Sequence, residues 1–391
     1  MVPVLPLTRP APFLIMKRIE HSLLSPSLGS SRQLCSLHFG SAGQGQKVYI
    51  QAALHADELP GMLVAWHLKA ALQALEDAGH LHGEVVLVPQ ANPIGHDQTL
   101  LGLQLGRFEM ASGENFNRNY PALLEGVYRG VKPHLSGDAA ANTQLIRAAI
   151  RAELVVWPVS TELQSLRHRL MSLAADADIV LDLHCDFRAA LHVYTGTPLW
   201  PQCEPLSRYL GSQAQLLATE SGGDPFDEAC SRLWWELQEK ARQDGLDVPI
   251  ELAALVVTVE LRGQGDVRHE LAERDAAAIL EFLRYRGVIT DRPAAELPPL
   301  DCPATPLAGS ENLCAPHSGV VTFLVAPGTR VEPGQPVVEV IDPMNDRVSV
   351  LSSAHGGMVY VLESRHFATT GMVLAKVATP HAFKTGSLLS A

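Results

Sequence analysis

The sequence predicts an α/β fold with helices on both faces of its sheet, followed by a small all-β unit. Three observations carry that expectation. Between residues 47 and 286, short apolar runs alternate with stretches of helical periodicity, the order expected of strands joined by helices. A Pro-rich segment, 291–306, then interrupts the pattern. Beyond it, valine-rich runs are separated by Pro327-Gly328 and Pro333-Gly334, the punctuation of short strands joined by tight turns.

Residues 1–46 make a ragged start, with Ser/Gly punctuation at 25–31 and 40–45. The apolar run from Lys47 to Leu54 reads as a buried strand that delivers His55 to its carboxyl end, with Glu58 one tight turn later. Pro60 suits the first turn of a helix over 59–78, where Leu63, Val64, Leu68, Ala71, Leu72 and Leu75 recur at helical spacing. Gly83 opens a strand over 84–89 that ends at Asn92-Pro93. Residues 95–133 lack periodicity, which predicts a long functional loop. Helices are expected over 139–154 and 161–175, then a strand over 179–183 ending at His184 and another over 189–195. A helix over 226–241, a strand over 255–259 ending at Glu260, and a helix over 268–286 complete the pattern. The expected divisions are a domain over 1–290, a linker over 291–306, a β unit over 307–379 and a tail over 380–391. Within the β unit, Gly356-Gly357-Met358-Val359 echoes Ser318-Gly319-Val320-Val321, as in an internal pseudo-duplication.

The 391 residues suffice for one large core and a second small one. A net charge of −12 argues against nucleic acid as a partner, because phosphate binding needs a basic face. Cys35, Cys185, Cys203, Cys230, Cys302 and Cys314 are scattered and form no C-x-x-C pair, which suits a reduced cytoplasmic protein. The apolar segment 1–16 is interrupted by prolines and Arg9, and Lys17-Arg18 follows it instead of preceding it, so no signal peptide is expected. No apolar stretch approaches membrane-spanning length, so no membrane partner is expected either.

In open α/β sheets ligands gather at the carboxyl ends of strands, and three such ends carry His55 with Glu58, His184, and Glu260. His55, Glu58 and His184 form a two-His, one-carboxylate set that suits zinc with one position open for water. A carboxylate outside that set, Glu260, can then take the proton of the attacking water and pass it to a leaving amine. In the long loop, Asn117 and Arg118 offer a fork of donors suited to a substrate carboxylate, with tying the loop to the sheet as the alternative. Arg107 is a candidate for stabilising an oxyanion; a surface role is the alternative. Asp182 shares a strand face with His184 and could orient it or be a satisfied buried carboxylate. Arg262 shares the strand face of Glu260 and is a candidate contact for a charged acyl group, with a salt bridge to Asp266 or Glu270 as the alternative. Strand alternation should turn Cys185 away from the metal.

The ordered motifs H-A-D-E-L-P-G, A-N-P-I-G, F-N-R-N-Y, D-L-H-C-D and V-E-L-R-G, over residues 48–288, resemble the succinylglutamate desuccinylase/aspartoacylase family. That resemblance implies a zinc-carboxypeptidase-like mixed sheet and the removal of an acyl group from the nitrogen of an amino acid. It implies that His55, Glu58 and His184 bind one zinc ion and that Glu260 is general base and acid. It further implies that Asn117 and Arg118 hold a carboxylate, while Arg107 matches less securely. Two departures stand out: Ala56 replaces the glycine usual after the first zinc histidine, and no tyrosine lies between Tyr209 and Tyr285, where peptidase members carry a mobile one. The second departure favours small N-acyl compounds over peptides. The rival readings are a zinc carboxypeptidase acting on short peptides, a catalytically inactive binding protein and, least of all, a carrier.

The β unit resembles the barrel-sandwich fold of biotinyl and lipoyl carrier domains. The tip between its halves reads Ile341-Asp342-Pro343-Met344-Asn345-Asp346-Arg347 and has no lysine, so a cap over the zinc site or a partner surface, including one for a homo-oligomer, is expected instead of a carrier.

Overall fold

The computed structural model of the chain describes residues 16–388. The segment 1–16, apart from Met16, lies outside them. A hairpin of β1 (Lys17–Ser22) and β2 (Gln33–Gly40) leads into β3 (Gln46–Ala52), whose Val48, Tyr49 and Ile50 are fully buried. Pro60 occupies the first turn of α1 (Pro60–Asp77), as expected, and β4 (Gly83–Val88) follows.

The segment expected to be a loop holds α2 (Pro93–His96), the small hairpin of β5 (Thr99–Leu100) and β6 (Leu103–Gln104), and α3 (Leu124–Val131). Gly126 and Gly130 obscure α3 in the sequence, yet it buries Val127, Tyr128 and Val131. Asp138 and Thr161 cap α4 (Ala139–Val156) and α5 (Glu162–Ala174) by accepting the N–H groups of Ala141 and Gln164.

Next come β7 (Ile179–Asp186), β8 (Arg188–Ala189) and β9 (His192–Gly196). The single strand expected over 189–195 is thus divided between two sheets. Neither α6 (Trp200–Leu210), which tolerates Pro205 in its interior, nor β10 (Ala214–Ala218) was predicted. The α/β part closes with α7 (Phe226–Gln243), β11 (Leu255–Gly263) and α8 (His269–Tyr285).

The C-terminal part begins with β12 (Thr305–Pro306), then β13 (Ser310–Cys314), β14 (Gly319–Phe323) and β15 (Thr329–Val331). It continues through β16 (Pro336–Asp342), β17 (Arg347–Ser352), β18 (Gly357–Leu362), β19 (Phe367–Ala368) and β20 (Val373–Ala378). The order β13-β20-β18-β15 forms one sheet and β17-β16-β14-β19 another. The echoing Gly319 and Gly357 segments start corresponding strands in opposite sheets. Val321, Val338 and Val340 from one sheet share a single apolar cluster with Val359, Leu374 and Val377 from the other.

The central sheet is mixed and nine-stranded, in the order β1-β2-β4-β3-β7-β11-β9-β10-β12. β4, β3, β7 and β11 run parallel, while β9 is antiparallel to β11. Helices cover both faces. Ile179, Leu181 and Leu183 of β7 and Leu255, Val257 and Val259 of β11 pack with α1, α6 and α8. Val180 and Val256 point the other way, to the layer that includes α4, α5 and α7. Alternation along a strand therefore sends Asp182, His184, Thr258 and Glu260 toward α7. Among the described residues no helix is long and apolar enough to cross a membrane.

The C-terminal part is not a separate appendage. β12 pairs with β10 at the edge of the central sheet, and β8 pairs with β18. His192 is buried between the two parts, its ring against Tyr194 and Tyr360 and its Nδ1 2.9 Å from the Ala190 carbonyl. Burial pushes its pKa down from 6.5 to about 4. The folded state therefore holds one proton fewer than the unfolded chain between these values. The stability that neutral His192 contributes is complete above pH 6.5 and is lost as pH falls toward 4, by about 1.4 kcal/mol per pH unit. Urea unfolding across that range should show this loss, and His192→Asn should flatten it; an equal slope in the variant would contradict the account.

Candidate metal centre and catalytic cavity

β3 ends at Ala52, three residues before His55. Ala53 adopts φ +60°, and the chain turns so that Glu58 N–H donates to the His55 carbonyl at 3.0 Å. The loop beyond α2 closes on this turn: Ala56 N–H donates to the Gly106 carbonyl at 3.0 Å. A Cβ on Gly106 would lie 2.1 Å from the Asp57 nitrogen, so only glycine permits the approach. The Ala56 methyl lies beside Gly95, where a Cβ would come within 2.8 Å of it, and glycine there makes room for it.

His55, Glu58 and His184 are buried, and each offers a ligand atom within 4.8 Å of the others. Glu58 lies between the two imidazoles, with Oε1 2.9 Å from His55 Nδ1 and Oε2 2.8 Å from His184 Nδ1. The far side of each ring has its own partner. His55 Nε2 is 2.9 Å from Asn115 Oδ1, an atom that also accepts the Asn117 N–H at 2.8 Å and is therefore an oxygen. His55 must then donate from Nε2, which leaves a lone pair on Nδ1. His184 Nε2 lies 3.0 Å from Asp182 Oδ2, and Asp182 Oδ1 accepts from Gln51, whose own oxygen accepts the Tyr49 hydroxyl.

His55 thus turns a lone pair onto the Glu58 carboxylate, whose other oxygen meets His184 Nδ1, an arrangement that needs protons or a cation between them. The donor set therefore fits a divalent metal ion. Burial alone would raise Glu58, but His55 and His184 outweigh it and hold the carboxyl well below its usual range. Burial, aided by the Arg107 charge, lowers His55. Burial would lower His184 too, but Asp182 and Glu58 raise it instead.

Glu260 is the sheet partner of His184 and faces the same cavity of about 310 Å³. Burial and the Glu58 charge push its carboxyl up to about 8, and Oε2 has no hydrogen-bond partner among the described residues. Arg107 reaches the cluster, with Nη1 3.2 Å from Glu58 Oε1. Asn117 and Arg118 also line the cavity, at the start of α7, where the Asn117 side-chain oxygen caps the helix by accepting the Phe226 N–H at 2.8 Å.

Residues 44–155 match the family model of the succinylglutamate desuccinylase/aspartoacylase catalytic domain. The resemblance to the succinylglutamate desuccinylase/aspartoacylase family is borne out. Among solved structures, a protein of that family from Shewanella amazonensis is 28% identical, with 93% of this chain and 98% of that one covered and a TM-score of 0.79. A succinylglutamate desuccinylase/aspartoacylase from Rhodobacter sphaeroides shares the fold at 17% identity, with 96% and 99% covered and a TM-score of 0.64. The ectoine utilization protein EutE (DoeB) of Ruegeria pomeroyi, in a product-bound structure, shares it at 14% identity, with 97% and 98% covered and a TM-score of 0.63. No curated protein matches the chain. The desuccinylase/aspartoacylase family is hydrolytic, which supports a hydrolase here, and the buried His55–Glu58–His184 set is a candidate metal site.

Against that family background, one sequence expectation fails. Arg262 does not line the cavity. The pairing of β11 with β7 shifts register between Glu260 and Gly263, Arg262 adopts φ +66°, and its guanidinium pairs with buried Asp275 of α8 on the other face. Strict alternation does not survive such a bulge. Cys185 contributes its backbone N–H, 3.1 Å from Glu58 Oε2. Two tyrosines, Tyr194 and Tyr360, line the cavity from other elements.

Other residues went unread. Asn115 directly precedes the F-N-R-N-Y motif, but nothing local marks it as the partner of His55. Lys376 reaches in from β20 to Asp186 at 3.0 Å, and Glu363 and Arg365 also border the cavity. No local pattern announces a residue delivered by another sheet. If Asp182 Oδ2, 3.0 Å from His184 Nε2, orients that ring, Asp182→Ala should weaken metal binding about 10- to 100-fold in a chelator competition. Unchanged affinity in a folded variant would remove Asp182 from that role.

Proposed function

We propose that the chain is a zinc-dependent amidohydrolase that removes an acyl group from an N-acylated amino acid or a related small carboxylate. The observation that carries this reading is a carboxylate outside the ligand set, Glu260, in one cavity with the His55–Glu58–His184 cluster and the cations Arg107 and Arg118. His55, Glu58 and His184 hold the metal. Asp182 orients His184, and Asn115 fixes the tautomer of His55. When bound, zinc supplies Lewis-acid polarisation of the scissile carbonyl and acidifies a water.

The chain's own groups do the rest. Glu260 accepts the proton of the attacking water and returns it to the departing amine nitrogen. Arg107 stabilises the negative charge that develops on the carbonyl oxygen. Arg118 and the amide of Asn117 hold the substrate carboxylate. Arg262, committed to Asp275, has no part in this reading.

The β unit over 307–379 acts as a cap. Tyr360, Glu363, Arg365 and Lys376 wall the cavity, and the turn between β16 and β17 offers no lysine for a carrier group. An enclosure of this kind favours a small substrate over an extended peptide. Glu260→Gln should keep its metal, measured by atomic absorption, and lose at least about 100-fold in kcat on N-acyl amino acids. Activity within tenfold of the parent enzyme would reject the role given to Glu260.

A further inference from the structure

The cavity extends well beyond the metal cluster, and its chemistry changes along the way. The row nearest the cluster holds His184 and Glu260, in register with His192. One row on, Thr258 stands beside Tyr194, and Tyr194 beside Leu216. The next row on the same face brings Val256 together with Gly196 and its partner Ala218. From Glu260 to Val256 is four residues of strand, roughly 13 Å at about 3.3 Å per residue.

Helix α7 forms the opposite wall and changes in the same direction. Asp227, Ser231 and Trp235 line the cavity at four-residue intervals, hence on one helix face. Asp227 accepts the Thr258 hydroxyl at 3.1 Å, and Glu228 accepts the Ser221 N–H at 2.6 Å on Oε1, while its Oε2 lies 3.5 Å from Arg232 Nη1. Two turns further on, the Trp235 ring lies over Gly196, where a Cβ would come within 2.8 Å of it. The absent side chain at Gly196 is what lets the indole down onto the sheet. Leu307 and Leu388 border the far end, and Leu388 is fixed by its N–H to the Ser221 carbonyl at 2.9 Å.

Arg107 and Asn117 lie at the other end, by Glu58 and the start of α7, and Arg118 stands between the two ends, packed against Gly223. We infer that this apolar arm, walled by Leu216, Ala218, Val256 and Trp235, is an acyl subsite that takes an extended aliphatic chain, so that the substrates are N-acyl amino acids with medium-length apolar acyl groups. The inference rests on the amidohydrolase reading above. Water adds its oxygen to the acyl carbon as the C–N bond breaks, and the amine nitrogen takes the proton. The products are a free aliphatic carboxylic acid and the amino acid. A charged acyl group such as succinyl would have to leave its second carboxylate unpaired among these apolar walls.

The test uses zinc-loaded full-length protein and the N-acetyl, N-succinyl, N-hexanoyl and N-octanoyl derivatives of aspartate, glutamate, leucine and lysine, reading released amine. With a common amino acid, kcat/KM should rise about fourfold per added methylene from acetyl to hexanoyl. Ala218→Phe, which fills the arm, should lower the octanoyl-to-acetyl ratio of kcat/KM at least about tenfold. The chain-length series on the parent protein decides alone if that variant does not fold. A preference for acetyl or succinyl, or a rise with chain length that Ala218→Phe leaves intact, would overturn the acyl subsite while the amidohydrolase reading stands. No turnover of any derivative would remove both.

Discussion

The position of the Glu58 carboxylate between two buried imidazoles is the constraint from which the rest of the site follows. Each of its oxygens lies within 3 Å of a histidine nitrogen whose ring is already oriented from behind. Lone pairs so directed repel unless a positive charge sits among them, and burial removes the water that would otherwise screen them. A cation resolves the conflict and uses the same three donors. The chain Tyr49–Gln51–Asp182–His184 and the pair Asn115–His55 then make sense as the framework that keeps the rings turned inward.

The sheet places these groups by parity. A residue two positions from Val180 or Val256 must share its face, so Asp182, His184, Thr258 and Glu260 reach the α7 side without any special feature of sequence. Where the sheet departs from regularity, the parity argument fails. At the bulge in β11 the backbone of Arg262 enters the left-handed region, and its side chain crosses to Asp275. The same strand thus delivers one charged residue to the cavity and hides another two positions later.

These details mark how far the sequence could be read. The strand-end positions of His55, His184 and Glu260 were legible because each follows a short apolar run bounded by turn residues, with Glu58 one turn beyond the first. Helices α1, α4, α5, α7 and α8 were legible because their apolar positions recur every three or four residues. Helix α3 was masked by its two glycines, α6 by its internal proline, and β8 by its pairing with a strand far along the chain. Lys376, Tyr360 and Trp235 owe their place in the cavity to packing between distant elements, and no local pattern encodes that.

The C-terminal sheets supply one wall of the cavity. β18 pairs with β8, β12 extends the central sheet, and Lys376 meets Asp186 two residues past a candidate metal ligand. The central claim is that His55, Glu58 and His184 converge on one cation. An X-ray anomalous difference map recorded at the zinc edge on zinc-soaked crystals tests it most directly. The account predicts one strong peak within about 2.2 Å of His55 Nδ1, His184 Nδ1 and a Glu58 oxygen. A map with no peak among those three side chains, while zinc binds elsewhere on the chain, would contradict it.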